Sequence, residues 1–275
     1  MPSDADLIAD LARRSDPHWK PGEVPPGEVP PAPRSYFKAT RTATYGFLAA
    51  LPLLVLYEVG ILLANGGQMR AVRVGADVWL KTLLAMLGGT GWLALGLVVL
   101  VIGAVVYWAE RKRRPPLRPR FFAYLVGESV LYAVVLAFVV GGTVGLLFGV
   151  WAAPVAMLQP VAQLSLPLQL ALSIGAGLYE ELVFRVLLVG GLFLLARTFI
   201  PRRTHAYVGA ALVGALLFSL VHYLGPLGDP FALPSFTFRF LFGLALNAVF
   251  LVRGFAVAAW THALYDVFVV TGAFG

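Results

Sequence analysis

The feature that most constrains the fold of this chain is a series of long apolar runs with few charged residues. Seven runs occupy about residues 43–64, 91–109, 121–150, 166–196, 205–224, 240–252 and 254–272. An α-helix needs roughly 20 apolar residues to cross the hydrocarbon core of a bilayer. It also satisfies all of its backbone hydrogen bonds within one segment, as the membrane interior requires. The sequence therefore predicts an all-α, polytopic transmembrane helical bundle of about seven or eight spans.

The composition supports this class. Hydrophobic residues make up 59% of the 275 residues and charged residues only 13%, whereas about a quarter of the residues of soluble domains are charged. The runs 121–150 and 166–196 are longer than a span requires, which indicates tilted or broken helices. The run 240–252 is short, so its helix can begin a few residues earlier. A further helix is expected around 74–88, either in the interface or as a weak eighth span.

The N-terminal segment has a different character. Residues 1–42 are polar and proline-rich, with the sequence GEVPP occurring twice, and they lack the apolar core of a signal peptide. Such a composition cannot bury enough surface to fold alone. We expect a disordered tail over 1–42 and an integral membrane domain over 43–275. The chain has no cysteine, which excludes disulfides, thiolate catalysis and thiolate metal sites.

The distribution of Lys and Arg predicts the orientation in the membrane. The tail before Ala43 and the 110–120 loop carry six cations each, and the 151–165 segment carries none. Cytoplasmic segments of membrane proteins carry such an excess, so the N-terminus is expected inside and the C-terminus outside if there are seven spans. The same topology accounts for the net charge of +7 without a nucleic-acid partner. The expected location is the bacterial inner membrane, with the lipid bilayer as the immediate partner.

Six ionisable residues lie within the apolar runs, where a charge costs several kcal/mol unless it is paired, and each marks a functional-site hypothesis. They are Glu58, Glu128, Glu180, Glu181, Arg185 and Asp266. Glu181 and Arg185 lie four residues apart and share a helical face, so they can form an ion pair. Helix packing and catalysis explain that pair about equally well. Glu180 is rotated by about 100° from Glu181, so its charge needs another partner, and it suits a general base that acts on water.

Two histidines complete the set. His222 ends the 205–224 run, and His262 lies four residues before Asp266, so that His262 and Asp266 share a helical face. Either histidine alone is more simply a hydrogen-bonded packing residue. Buried together with the acids of the 166–196 run, they form a group that is expensive to place in a membrane without a function. The sequence therefore predicts a catalytic site made by Glu180, Glu181, Arg185, His222, His262 and Asp266.

The order and spacing of these residues resemble the CPBP family of intramembrane proteases. That family carries EExxxR, FxxxH and Hxxx(N/D) on successive transmembrane helices. The chain matches with Glu180-Glu181-x-x-x-Arg185, Phe218-x-x-x-His222 and His262-x-x-x-Asp266. The family includes type II CAAX prenyl endopeptidases and bacterial relatives linked to bacteriocin processing and immunity. A lone EExxxR is a weak signal, but three motifs in order within apolar runs are specific, and the resemblance covers about residues 166–272.

The resemblance implies a role for each residue. Glu180 with His222 would activate a water, and His262 with Asp266 would stabilise the oxyanion. Glu181 with Arg185 would hold the helix and tune Glu180.

One position raises a question, because an ionised aspartate at 266 would repel an oxyanion where an asparagine would donate to it. Asp266 must then be protonated, orient His262 or bind a metal. Glu180, His222, His262 and Asp266 offer ligands that suit zinc, but the HExxH signature is missing. The resemblance favours catalysis by glutamate without a cofactor, with a zinc peptidase as the second choice.

The expected function is hydrolysis of a peptide bond in or near a membrane-embedded or membrane-anchored substrate, which is either lipidated or carries a C-terminal sorting tail. Two alternatives stay open: a proton-coupled transporter, which Glu58 and Glu128 would fit, and a non-catalytic scaffold or immunity protein. No inverted repeat is visible in support of a transporter. The predicted topology places His222 near the outer face, whereas prenylated substrates are presented at the cytoplasmic face. This conflict favours an exported substrate over an error of one span.

Overall fold

A computed structural model describes residues 35–66, 72–86, 91–111, 115–149, 163–225 and 228–274, with only the backbone described at 91–94. These ranges are helical and contain no strand. We label the helices α1 to α9, with α6 a single helix in four parts. They are α1 Tyr36–Thr40, α2 Ala43–Ala64, α3 Gly75–Met86, α4 Gly91–Glu110, α5 Pro119–Phe148, α6 (Leu166–Gly175, Ala176–Glu180, Leu182–Val189 and Gly190–Ala196), α7 Arg203–Val221, α8 Leu233–Arg253 and α9 Phe255–Val270.

Four helices, α2, α5, α7 and α8, are long and apolar enough to cross a membrane, and shorter apolar helices occur at Leu95–Glu110 and Phe255–Val270. Many large apolar side chains are exposed on the outer faces of these helices, such as Leu146 at 90% and Leu63 at 74%. A soluble protein rarely exposes so much apolar surface, and lipid covers it in a bilayer. The all-α class and the integral membrane location are therefore supported. The total of seven or eight spans stays a prediction.

Proline and glycine set several helix boundaries. Proline occupies the first turn of α5, α6 and α8, where its missing N–H has no intrahelical partner to lose. The short run predicted at 240–252 accordingly belongs to a helix that begins earlier, at Leu233, with Pro234 in its first turn. Between α8 and α9 the chain turns at Gly254, which has a φ of 89° that side-chain-bearing residues rarely adopt.

The middle of α6 departs from α-helical geometry. Ala176–Glu180 and Leu182–Val189 form π-helix, in which each hydrogen bond spans five residues instead of four. The turn is therefore wider than in an α-helix, and the angle between neighbouring side chains is smaller. Single-turn π segments often occur at functional sites, and in this chain Glu180 ends the first π segment, while Glu181, with α-helical dihedral angles, joins it to the second.

The two central helices, α6 and α9, approach each other closely at Gly177. A Cβ atom at this position would lie 2.5 Å from the carbonyl oxygen of Ala259 and 2.5 Å from both the Cβ and the amide nitrogen of Ala263. Only glycine allows this separation. The close approach brings the acids of α6 beside the polar face of α9, which packs against α2, α5, α6 and α8.

The predicted disordered tail covers residues 1–42, of which residues 1–34 lie outside the described part of the chain. Tyr36–Thr40 instead form helix α1, and the Tyr36 hydroxyl donates a 2.5 Å hydrogen bond to Glu128. Glu128 also pairs with Arg253 at 2.5 Å, and Arg253 donates to the hydroxyl of Thr40 at 2.9 Å. These contacts attach α1 to α5 and to the end of α8.

Candidate active site

The six residues predicted from the sequence come together around one cavity. It has a volume of about 220 Å³ and lies between α6, α7, α8 and α9, with the 72–75 segment at one side. Its polar wall is formed by Glu180, His222, His262 and Asp266, while Phe218 and Phe242 supply apolar surface. Glu181 and Arg185 lie directly behind this wall and are almost completely buried, at 0% and 1% exposure.

Glu180 faces the two histidines without bonding directly to either. Its Oε2 lies 3.8 Å from Nε2 of His222 and 4.0 Å from Nε2 of His262. Both separations exceed the length of a hydrogen bond, and this oxygen has no hydrogen-bond partner among the described residues. A buried carboxylate oxygen without a partner is unusual and requires an explanation. All three residues line the cavity.

Glu181 joins α6 to α9. One of its carboxylate oxygens lies 2.7 Å from Nδ1 of His262, and the other lies 3.0 Å from Nε of Arg185. The predicted ion pair between Glu181 and Arg185 is therefore confirmed. Arg185 completes its surroundings with the ring of Phe218, 4.5 Å from the guanidinium carbon, as in a cation–π contact. Glu180 and Glu181 both approach His262. The smaller angle between neighbouring residues of a π-helix permits this.

His222 occupies the C-terminal cap of α7, where the helical hydrogen bonds end. Its Nδ1 lies 2.7 Å from the backbone carbonyl of Phe218. A carbonyl oxygen only accepts hydrogen bonds, so Nδ1 carries the proton. In the neutral ring, Nε2 is then the basic nitrogen, and it is the one that faces Glu180.

His262 lies among three carboxylates. Its Nδ1 bonds to Glu181, while its Nε2 lies 3.5 Å from Oδ2 of Asp266 and faces the cavity. The predicted shared face of His262 and Asp266 on α9 is confirmed by this contact. Edge-to-face contact with Phe242, at 5.6 Å between ring centroids, restricts the imidazole further. The ring is therefore held in one orientation with one nitrogen directed to the cavity.

Comparison with known families agrees with this geometry. Residues 162–268 match the Rce1-like family, described as type II CAAX prenyl endopeptidase Rce1-like. Over this segment the chain is similar to that family. The match includes all six residues around the cavity and confirms the resemblance to CPBP proteases. No curated protein and no solved structure matches the chain.

The match relates residues 162–268 to a family of endopeptidases. The Rce1-like segment starts just before α6 and ends within α9, so helices α1 to α5 lie outside it. Among those outer helices α2 and α5 nevertheless pack directly against α9, and thus support the helix that carries His262 and Asp266.

Arg239 also lines the cavity, although no site role is predicted for it from the sequence. Its side chain is only 1% exposed. The predicted apolar run begins at residue 240, which leaves Arg239 in the preceding loop. The N-terminal proline at 234 was the available signal for an earlier helix start. With the helix starting at Leu233, Arg239 becomes a buried cation within α8 and would have been recognised as a candidate site residue.

Glu58 and Glu128 pair with cations away from the polar wall of the cavity. Glu58 bonds to Arg73 at 2.6 Å, to Lys81 at 2.8 Å and to the hydroxyl of Tyr179 at 3.0 Å. This network anchors α3 to α2 and α6 beside the cavity, which Arg73 reaches from the 72–75 segment. Glu128 belongs to the separate network with Arg253. Both acids are therefore paired with cations.

A metal site was the remaining possibility for the polar wall. Among the residues that the structure describes, no group of three or more His, Asp or Glu side chains is arranged to hold a metal ion. The zinc hypothesis is therefore tested by experiment, with a chelator, in the assay given below.

Proposed function

We propose that the chain is a CPBP-type intramembrane glutamic endopeptidase, in which Glu180 and His222 activate a water for attack on a peptide bond. The observation that carries this proposal is the position of Glu180. One of its buried oxygens lacks a hydrogen-bond partner in the described structure and lies 3.8 and 4.0 Å from the cavity-facing nitrogens of His222 and His262. A water between these atoms would reach all three with ordinary hydrogen bonds.

The first step is activation of that water. Glu180 accepts a proton from it, and Nε2 of His222, which carries no proton in the neutral ring, accepts a hydrogen bond from it. The oxygen then attacks the carbonyl carbon of the scissile bond and forms a tetrahedral intermediate. Glu180 next returns the proton to the leaving amine. General acid–base catalysis of this kind accelerates a reaction by roughly 10²- to 10⁴-fold.

Stabilisation of the oxyanion falls to His262. Its ring is fixed by Glu181 through Nδ1, so Nε2 is already directed to the cavity before the substrate binds. A donor held in place at the site of developing charge lowers the barrier without reorganisation, and the loss of one such donor costs about 10²- to 10³-fold in kcat. Glu181 and Arg185 act through His262 and do not contact the substrate.

The substrate is a membrane-embedded or membrane-anchored protein or peptide, cleaved close to a lipidated or C-terminal sorting segment. The cavity supports an extended backbone with small side chains, because Phe218 and Phe242 narrow it and its volume is about 220 Å³. With the N-terminus in the cytoplasm, the end of α7 that carries His222 faces outward, so an exported substrate fits. A transporter function loses its supporting residues, since Glu58 and Glu128 are both paired with arginine.

The test uses the detergent-purified chain and a fluorogenic peptide with a membrane-anchored tail. Wild type is compared with Glu180→Gln and His262→Ala, with and without a strong zinc chelator. Glu180→Gln keeps the size of the side chain and removes only its ability to accept the proton, so a loss of roughly 10²-fold or more is expected. Cleavage that survives Glu180→Gln would overturn the proposal. Cleavage by wild type that the chelator abolishes would replace the glutamic mechanism with a metal-dependent one.

A further inference from the structure

Arg239 is a buried cation with no role in the mechanism above. It lies on α8, is 1% exposed and lines the same cavity as His222 and Asp266. A buried charge persists only when its partners compensate for lost hydration. The partners of Arg239 therefore indicate what it does.

Those partners lie on α8 and in the segment that follows His222. One terminal nitrogen of Arg239 bonds to the hydroxyl of Ser235 at 2.8 Å, and the other forms an ion pair with Asp229. The backbone N–H of Asp229 in turn donates to the carbonyl of His222 at 2.9 Å. Tyr223 adds a hydroxyl donated to Ser235 at 3.0 Å and a ring 5.2 Å from the guanidinium carbon. Arg239 thus connects α8 to Tyr223 and to Asp229.

His222 needs such support because of its position. It caps the C-terminus of α7, where the last turn of a helix frays most easily. The hydrogen bond from Nδ1 to Phe218 fixes the ring relative to the backbone. The bond from Asp229 in turn holds the carbonyl of His222, and Asp229 is itself held by Arg239. The 3.8 Å separation between Glu180 and His222 therefore depends on the pair.

We propose that Arg239 is a positioning residue, which acts through Asp229 to hold His222 at its working distance from Glu180. This inference rests on the proposed function for its kinetic consequence, although the position of His222 can be measured without activity. Lysine would not replace Arg239, because a single ammonium cannot bridge Ser235 and Asp229 in the geometry of a guanidinium fork.

The kinetic test compares wild type with Asp229→Asn, Arg239→Lys and Arg239→Gln. Asp229 does not line the cavity, so Asp229→Asn is expected to reduce kcat by roughly 10- to 100-fold, as displacement of a catalytic group by about 1 Å does, with KM within twofold. Arg203→Gln is the matched control, because Arg203 is exposed at the opposite end of α7. The double variant Asp229→Asn with Arg239→Gln is expected to be no slower than Arg239→Gln alone, since both changes break the same connection.

A chemical test needs no substrate. Diethyl pyrocarbonate modifies neutral imidazoles, and peptide mapping gives the rate at His222 relative to His205, an exposed histidine on the same helix. The His222 to His205 ratio is expected to rise severalfold in Asp229→Asn and Arg239→Gln and to stay at the wild-type value in Arg203→Gln. If Arg239→Gln does not fold, Asp229→Asn carries both measurements.

The outcomes separate the two proposals. If wild type cleaves no peptide, the proposed function fails, while a raised labelling ratio still supports the positioning role. If wild type cleaves and the Asp229 and Arg239 variants retain its kcat and its labelling ratio, the positioning role is overturned and the proposed function stands. Loss of kcat in Arg203→Gln as well would attribute the effect to general destabilisation and would also overturn it.

Discussion

The approach of α6 to α9 at Gly177 gives a prediction whose size follows from the coordinates. In Gly177→Ala the new Cβ would lie 2.5 Å from three atoms of Ala259 and Ala263, while ordinary contacts begin at 3.4 Å. Two of these atoms belong to the backbone and cannot rotate away. The helices must therefore separate locally by about 0.9 Å.

This separation acts directly on the site. The hydrogen bond between Glu181 and His262 would lengthen from 2.7 Å to about 3.6 Å, which is no longer a hydrogen bond. The imidazole then loses the contact that fixes its orientation. We expect Gly177→Ala to reduce kcat by roughly 10²-fold, the effect of a 1 Å displacement of a catalytic group, and to lower stability by about 1–3 kcal/mol through overpacking.

The assay is cleavage of the membrane-anchored peptide below the unfolding temperature, with thermal unfolding followed in the same detergent. Gly191→Ala is the matched control, because a Cβ there meets nothing within 4 Å and the residue lies on the same helix. It should retain wild-type activity. Wild-type kcat in Gly177→Ala would refute the reasoning, since it would mean that α6 and α9 need not be this close for catalysis.

Three further predictions concern acidic residues within the helices. Glu181→Gln leaves Arg185 buried without a charged partner and should lower the free energy of unfolding by about 3 kcal/mol or more, as measured by denaturation in detergent; unchanged stability would contradict the pairing. Glu128→Gln breaks the remote pair with Arg253 and should lower the unfolding temperature by roughly 5 °C, with kcat/KM unchanged. A loss of activity in this variant would show that the network affects the site. Asp266→Asn should keep kcat/KM within about tenfold of wild type, while Asp266→Ala should lose roughly 10²-fold. Equal losses of kcat/KM in the two variants would show that the carboxylate charge itself is needed.

The sequence was most informative where a single helix decides the outcome. The apolar runs predict the positions of the helices, and they agree with the observed helices within a few residues, apart from the start of α8. Contacts at a spacing of four residues, such as Glu181 with Arg185 and His262 with Asp266, follow from helical geometry alone.

Contacts between helices could not be predicted in the same way. The bond from Glu181 to His262 joins residues 81 positions apart, and it depends on the small residue at 177 and on the π-helical geometry of α6. Neither feature has a local signal strong enough to predict the contact. The expected rotation of about 100° between Glu180 and Glu181 assumes a regular α-helix. On that assumption the two glutamates point in different directions and do not both approach His262.

The contacts of His262 bear on the question raised by aspartate at position 266. Its two nitrogens face different carboxylates, Glu181 at 2.7 Å and Asp266 at 3.5 Å. The proposed mechanism requires the ring to carry a proton on Nε2. Its Nε2–H would then be shared between Asp266 and the oxyanion, and the distance of 3.5 Å leaves that hydrogen available to a closer acceptor. Under the proposed mechanism, Asp266 would orient the donor in the resting site and release it to the substrate as negative charge develops on the carbonyl oxygen. An aspartate here is therefore compatible with oxyanion stabilisation as long as His262 supplies the hydrogen bond.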